Sequence, residues 1–299
     1  MSASNSMFDS KRSFSIENCE QAISRADILK NASAHMQAIG DCLQVAVSPD
    51  SGLPVSWIPE SNILVDVEGN SYPLRGKDGL PLLIPTRLQR HYTDRLRIED
   101  KDVVDAYLQY FYLSQVKQAG VVAEINSSAD DVHYQRHLFR MKQFLSSAHG
   151  LVLDVGCDDP DIGRGLLPEG AKYIGLDPFC TRESPFRIVG FGESLPFRDG
   201  SFDAVVFNTS LDHILDWRCA INEACRVLVP GGYIYISTLI WTDRADLVTD
   251  AVHFHHFRDY EIFGAFKDVG LLPSNERRYV YKGAEHRHGL YVSACKPEK

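Results

Sequence analysis

The sequence predicts an α/β chain whose second half is a doubly wound, mostly parallel sheet, preceded by a small β region and a helical lid. Three observations carry this expectation. From Leu151 onward, short apolar runs alternate with segments of helical periodicity, as in a parallel sheet covered on both faces. The first of those runs ends in a glycine turn and the second in an acid. Ahead of them, short strand-like runs between turn signals give way to two apolar stripes at helical spacing.

Taken in order, residues 1–98 form an N-terminal region that opens with a helical stretch, Ile16 to Met36, stopped near Gly40. Its texture then changes to strands around Asn62–Val67, Ser71–Leu74 and Leu80–Pro85, separated by the turns Glu68-Gly69-Asn70 and Lys77-Asp78-Gly79. Residues 99–150 hold two helical segments, Asp102 to Gln118 and Asp131 to Ala148, each ended by a glycine, and these would form the lid. Residues 151–299 contain the alternating pattern. Strands are expected at Leu151–Val155, Lys172–Asp177, Phe186–Val189, Phe202–Phe207 and Tyr233–Ser237. Helices are expected at Asp216–Val229 and Phe257–Val269, and two β segments, Arg277–Tyr281 and Gly289–Ala294, complete the set.

Composition narrows the class of protein. The 299 residues are 44% hydrophobic and 24% charged, the balance of a globular chain. No apolar run reaches the length of a membrane span, and the polar first residues lack the basic-then-apolar layout of a secretory leader. Seven scattered cysteines without a Cys-x-x-Cys pair argue against a zinc ribbon and suit a reducing cytoplasm. A net charge of -9 disfavours long nucleic acids as partners, while a homo-oligomer is compatible with everything here.

The turn after the first core strand is the chemically informative feature. It reads Asp154-Val155-Gly156-Cys157-Asp158-Asp159-Pro160-Asp161, and Asp177 ends the next strand twenty-one residues after Gly156. In an open parallel sheet ligands sit beyond the carboxyl ends of the strands, and an acid in this second position can accept ribose hydroxyls. Four carboxylates around the turn would repel the pyrophosphate of a nicotinamide dinucleotide. They would favour S-adenosylmethionine, whose ammonium and sulfonium are positive.

At this point residues 151–296 resemble a class I S-adenosylmethionine-dependent methyltransferase of the seven-strand type. The motifs that carry the resemblance come in order. They are Leu151–Cys157, Tyr173–Asp177, Gly192–Asp203, Asn208–His213 and Glu223–Gly232. The resemblance implies a Rossmann-like, doubly wound, mostly parallel seven-stranded sheet and S-adenosylmethionine as cofactor. It implies that Asp154 and Gly156 line the methionine moiety, that Asp177 takes the ribose, and that Glu193, Ser194 and Leu195 lie near the adenine, with Cys157, Asp158 and Pro178 also among the cofactor-binding residues. Asn208 and Thr209 would face the sulfonium and the acceptor, and Arg226 to Gly232 would be structural, the helix stopping at Pro230. Two departures stand out. Asp158 and Pro160 occupy positions where the family has glycine, and Phe179 to Pro185 is too short for the second crossover helix. The strand pair at residues 68–85 resembles a zinc-ribbon-like module that accompanies some methyltransferases, here without metal ligands.

The implied reaction is in-line methyl transfer to a small-molecule acceptor, a hydroxyl or amine of a sugar or natural product. Hydroxyl acceptors need a base, for which Asp212, His213, His253 and His255 are the candidates. Each has a plainer role open to it: Asp212 can cap the helix near Asp216, and the histidines can pack or line the pocket. Glu193 can equally be a surface turn acid. No metal site is expected at His253, His255 and His256, because no Cys, Asp or Glu with ligand spacing joins them before Asp259. A methyltransferase-like protein that binds without catalysis would also explain Asp158 and Pro160. A nicotinamide-dependent oxidoreductase fits the acidic turn poorly.

Overall fold

The computed structural model describes residues 25–75, 79–89, 132–178, 184–242, 253–280 and 287–298. The seven-stranded sheet is present. Its strands are β5 (Leu151–Val155), β6 (Lys172–Asp177), β7 (Arg187–Val189), β8 (Phe202–Asn208), β9 (Leu228–Trp241), β10 (Leu272–Val280) and β11 (Arg287–Cys295). Their order is β10-β11-β9-β8-β5-β6-β7, with β9, β8, β5, β6 and β7 parallel and β11 antiparallel to both of its neighbours, β9 and β10. The chain reverses direction across the sheet between β5 and β8, so their carboxyl ends flank the switch point where a ligand crevice forms.

Strands β5 and β8 are apolar almost throughout because both of their faces are covered. Six of the helices are named by their ranges: α1 (Arg25–Ala38), α2 (Gly40–Leu43), α3 (Thr86–Gln89), α4 (Val132–Phe144), α5 (Pro160–Leu166) and α6 (Trp217–Val227). The last, α7 (Asp259–Asp268), precedes β10. Helix α4 lays Met141 and Phe144 on one face of the sheet, where they pack with Val152, Tyr235 and Tyr291. The other expected lid helix, Asp102 to Gln118, lies outside the described residues.

Strands β9 and β10 run well beyond the expected Tyr233–Ser237 and Arg277–Tyr281. Two further differences, one helix not expected and one helix end, have physical reasons. Helix α5 escaped the periodicity reading because two of its seven residues are glycine and it opens on proline. Helix α6 stops at Val227, not at Pro230, because Lys296 reaches under it and donates to the carbonyls of Cys225 and Leu228, both at 2.7 Å. Pro230-Gly231-Gly232 therefore falls inside β9, where the pairing with β8 shifts register.

The small β region is an antiparallel sheet of β1 (Ser56–Ile58), β2 (Ile63–Val65), β3 (Ser71–Arg75) and β4 (Leu80–Pro81). It does not stand apart. Leu82 bridges Val189 in parallel, and the Leu83 amide donates to the Val189 carbonyl at 3.0 Å, so the small sheet continues past the β7 edge of the large one. Ala46 likewise bridges Phe197. Ala32, Met36, Leu64 and Tyr72 share one apolar core with Leu153, Ile174 and Leu176. No described helix is long and apolar enough to cross a membrane.

Candidate functional site

The turn after β5 is built by backbone conformations that its residues tolerate. Gly156 sits at φ 76°, and a Cβ there would collide with the Ser210 side chain. Asp158 follows at φ 42°, a left-handed conformation that Asp adopts more readily than most residues. Its amide donates to Asp177 Oδ2 at 3.0 Å, which ties the turn to the end of β6. Asp159 caps α5 by accepting from the Asp161 amide, and Pro160 occupies the first helical turn, where proline is favoured. The two departures from glycine are thus absorbed locally: one by a tolerant residue, the other by a helix start.

Asp154 and Asp177 lie close together at adjacent strand ends, both buried. Tyr173 donates to Asp154 Oδ2 at 2.8 Å, while Asp154 Oδ1 is buried without a hydrogen-bond partner. Burial, opposed by the Tyr173 bond and aided by the Asp177 charge, pushes the Asp154 carboxyl up to about 7. Gly163 of α5 passes so close that a Cβ would strike Asp154 and the Tyr173 hydroxyl. Cys157 is pressed against Gly175, and its burial holds the thiol well above its ordinary range, so it is a filler and not a nucleophile. An orphaned carboxylate oxygen, a left-handed glycine turn and a second buried acid make a site that fits a cationic nucleoside.

The expected adenine-side residues are held mainly by backbone. Glu193 Oε1 accepts from the Asp216 amide at 3.3 Å, and burial raises its carboxyl above the usual range. The Leu195 amide donates to Glu223 Oε2, and the Ser194 amide to the Phe191 carbonyl. Glu193 is therefore a buried group bracing the start of α6, not a surface turn acid. Pro178 closes the described part of the β6 end; residues 179–183 are outside it.

At the end of β8 the structure gathers more than the sequence announced. Asn208 Oδ1 accepts from Ser237 at 3.1 Å and lies 2.9 Å from His137 Nε2, whose Nδ1 is 2.7 Å from the Tyr291 hydroxyl. Burial lowers the pKa of this ring, opposed by the Asn208 hydrogen bond. Thr209 adopts φ 54°, unusual for a β-branched residue and a mark of local strain. After it, the 3-10 turn Leu211–His213 presents Asp212 and His213, and His253 comes from a distant segment to meet them. Asp212 does not cap α6; Asp216 does, accepting from the Cys219 amide at 3.0 Å.

His255 Nε2 lies 2.9 and 3.0 Å from the Ile214 and Leu215 carbonyls, donating there, and its ring stacks on Phe257. The fold also brings Asp212 and His213 to His253, an arrangement that comes from the fold and not from sequence spacing. Two surface clefts of about 370 and 320 Å³ lie elsewhere, one at the amino ends of β5 and β6 and one beside Arg198 and Arg226.

The strand order and the left-handed turn give the second half of the chain the fold of the class I S-adenosylmethionine-dependent methyltransferases. Residues 153–236 match the family described as a methyltransferase domain. A demethylmenaquinone methyltransferase of Corynebacterium efficiens is 44% identical over 127 residues, 42% of this chain and 47% of that protein. The mitochondrial ubiquinone biosynthesis O-methyltransferase of Homo sapiens is 30% identical over 109 residues, 29% of this chain and 28% of its own length. The chain thus spans about a quarter to a half of these two relatives. The fold matches that of 1,6-didemethyltoxoflavin-N1-methyltransferase from Burkholderia thailandensis, at a TM-score of 0.50 and 16% identity. That match covers 67% of this chain and 93% of the other.

Proposed function

We propose that this chain takes the methyl group of S-adenosylmethionine and passes it in line to a hydroxyl of a small organic acceptor such as a sugar or natural product. The observation that carries the reading is Asp154 Oδ1, a buried carboxylate oxygen without a donor at the strand end where Asp177 also points. Leaving such an oxygen unpaired costs about 1–3 kcal/mol or more, and a cationic ligand relieves it. When bound, the cofactor supplies an electrophilic methyl group on a good leaving sulfur.

The chain's own residues divide the rest of the work. Asp154, Gly156, Cys157 and Asp158 shape the methionine end, Asp177 with Pro178 receives the ribose, and Glu193, Ser194 and Leu195 frame the base. Asn208, fixed by His137 and Ser237, and the strained Thr209 stand between donor and acceptor. Orientation of the two reactants supplies much of the acceleration, since effective molarities for aligned groups reach about 10⁵–10⁸ M. Asp212, His213 and His253 stand on the acceptor side and would promote loss of the acceptor's proton, which favours a hydroxyl over an amine. Two relatives named as O-methyltransferases or quinone methyltransferases support an oxygen- or ring-bearing acceptor.

Isothermal titration of the pure protein with S-adenosylmethionine and S-adenosylhomocysteine tests the first step, with one site expected for each. Absence of binding removes the reading. Binding without turnover on any hydroxyl panel, followed with labelled methyl donor, would instead make the chain a non-catalytic binder.

A further inference from the structure

We infer that Asp212, His213 and His253 form a binding site for a divalent transition ion of the zinc class at the carboxyl end of β8. One ligand atom from each of these residues lies within 4.8 Å of the other two. Two of them come from a single 3-10 turn and the third from the segment before α7. The two pieces are locked by backbone: the Phe254 and His255 amides donate to the Asp212 carbonyl at 3.0 and 3.2 Å. His253 is thereby delivered to Asp212, its Nε2 3.7 Å from Oδ2.

The independent sign of a ligand is Asp212 itself. The residue is 4% exposed, and its Oδ1 has no hydrogen-bond partner. A buried carboxylate oxygen left this way is costly, and a cation is the direct remedy. Donor chemistry selects the ion. Two imidazoles and one carboxylate suit zinc, iron or nickel, whereas magnesium and calcium prefer oxygen alone. Three protein ligands with open positions is the pattern of a catalytic and not a closed structural site. Metal–ligand bonds of about 2.0–2.2 Å require the donors to draw inward by roughly an ångström, within reach of side-chain rotation. Trp241 walls the site, stacked on His256 at 4.2 Å and 6.5 Å from the His253 ring.

The role of the ion rests on the methyl-transfer reading. An acceptor hydroxyl meeting it would lose its proton to solvent at lower pH than when free. The oxygen lone pair then forms the new C–O bond as the C–S bond breaks with its electron pair on sulfur. The balance is an ether, a thioether and one released proton, with no oxidant or reductant.

Equilibrium dialysis of tag-free, chelator-stripped full-length protein against Zn²⁺ tests the site. One saturable equivalent is expected, and Asp212→Asn and His253→Gln should each weaken it at least tenfold. Far-ultraviolet dichroism and thermal melting check that both variants are folded. No saturable equivalent in the wild type, or equal zinc affinity in the folded variants, overturns the inference. Zinc bound without any nucleoside binding would instead remove the methyl-transfer reading and leave the metal site standing.

Discussion

A carboxyl group buried at the end of β5 has few ways to be satisfied, and Asp154 uses only one of its oxygens in the free protein. With its pKa pushed up to about 7, the group is largely protonated below that pH. A cationic ligand needs the carboxylate, so S-adenosylhomocysteine, which keeps the ammonium, should bind more tightly as pH rises from 5.5 toward 7. The gain is at most about tenfold per unit and levels off above. Asp154→Asn should bind more weakly and lose the slope; calorimetry between pH 5.5 and 8.5 measures both, and a flat wild-type profile contradicts the assignment. Gly163 makes a second test. Gly163→Ala forces a methyl group into Asp154 and Tyr173, so urea denaturation should show a loss of about 1–3 kcal/mol. At this scale the sequence was legible wherever a residue's meaning is local. The turn at Gly156 and the strand ends that carry Asp154 and Asp177 fall where the sequence puts them. His137 was not legible, because it lies in an apolar helical stripe and its partners Asn208 and Tyr291 are 71 and 154 residues away.

Elements followed the same division. Strands β5, β6, β7 and β8 were read to within a residue because a buried parallel strand is an uninterrupted apolar run with clear ends. Helix α5 was missed because capping and ligand-loop demands, not amphipathic periodicity, wrote its sequence. The end of α6 was misplaced because Lys296, near the last described residue, holds its final carbonyls. Lys296→Met keeps the aliphatic stem and removes the charge-assisted bonds, so thermal or urea unfolding should show a loss of about 1–2 kcal/mol. Local hydrogen exchange should quicken at Cys225–Leu228 while the turn after β5 stays protected. The 3-10 turn Leu211–His213 illustrates the remaining gap: His253 reaches Asp212 only through backbone bonds spanning some forty residues.

Across the whole molecule two buried groups pull stability in opposite directions with pH. His35, packed against β7 and donating to the Arg187 carbonyl, is lowered by burial from 6.5 to about 4. It folds neutral, so stability is lost as pH falls from 6.5 toward 4. Asp154 is raised from 3.8 to about 7, so its ionisation costs stability as pH rises through the same window. The two trends offset one another in the ligand-free wild type. Asp154→Asn should become more stable as pH rises from 4 to 7, and His35→Gln less stable, as urea midpoints would record.

The parallel bridge from Leu82 to Val189 gives the small sheet a protective task as well as a place. Strand β7 would otherwise present a row of unsatisfied amides and carbonyls to any passing chain, the template from which intermolecular cross-strand growth begins. Leu83→Pro, which removes the amide that bonds to the Val189 carbonyl, should therefore aggregate from a still-folded state at that border. Light scattering that rises while far-ultraviolet dichroism stays native-like would be its signature.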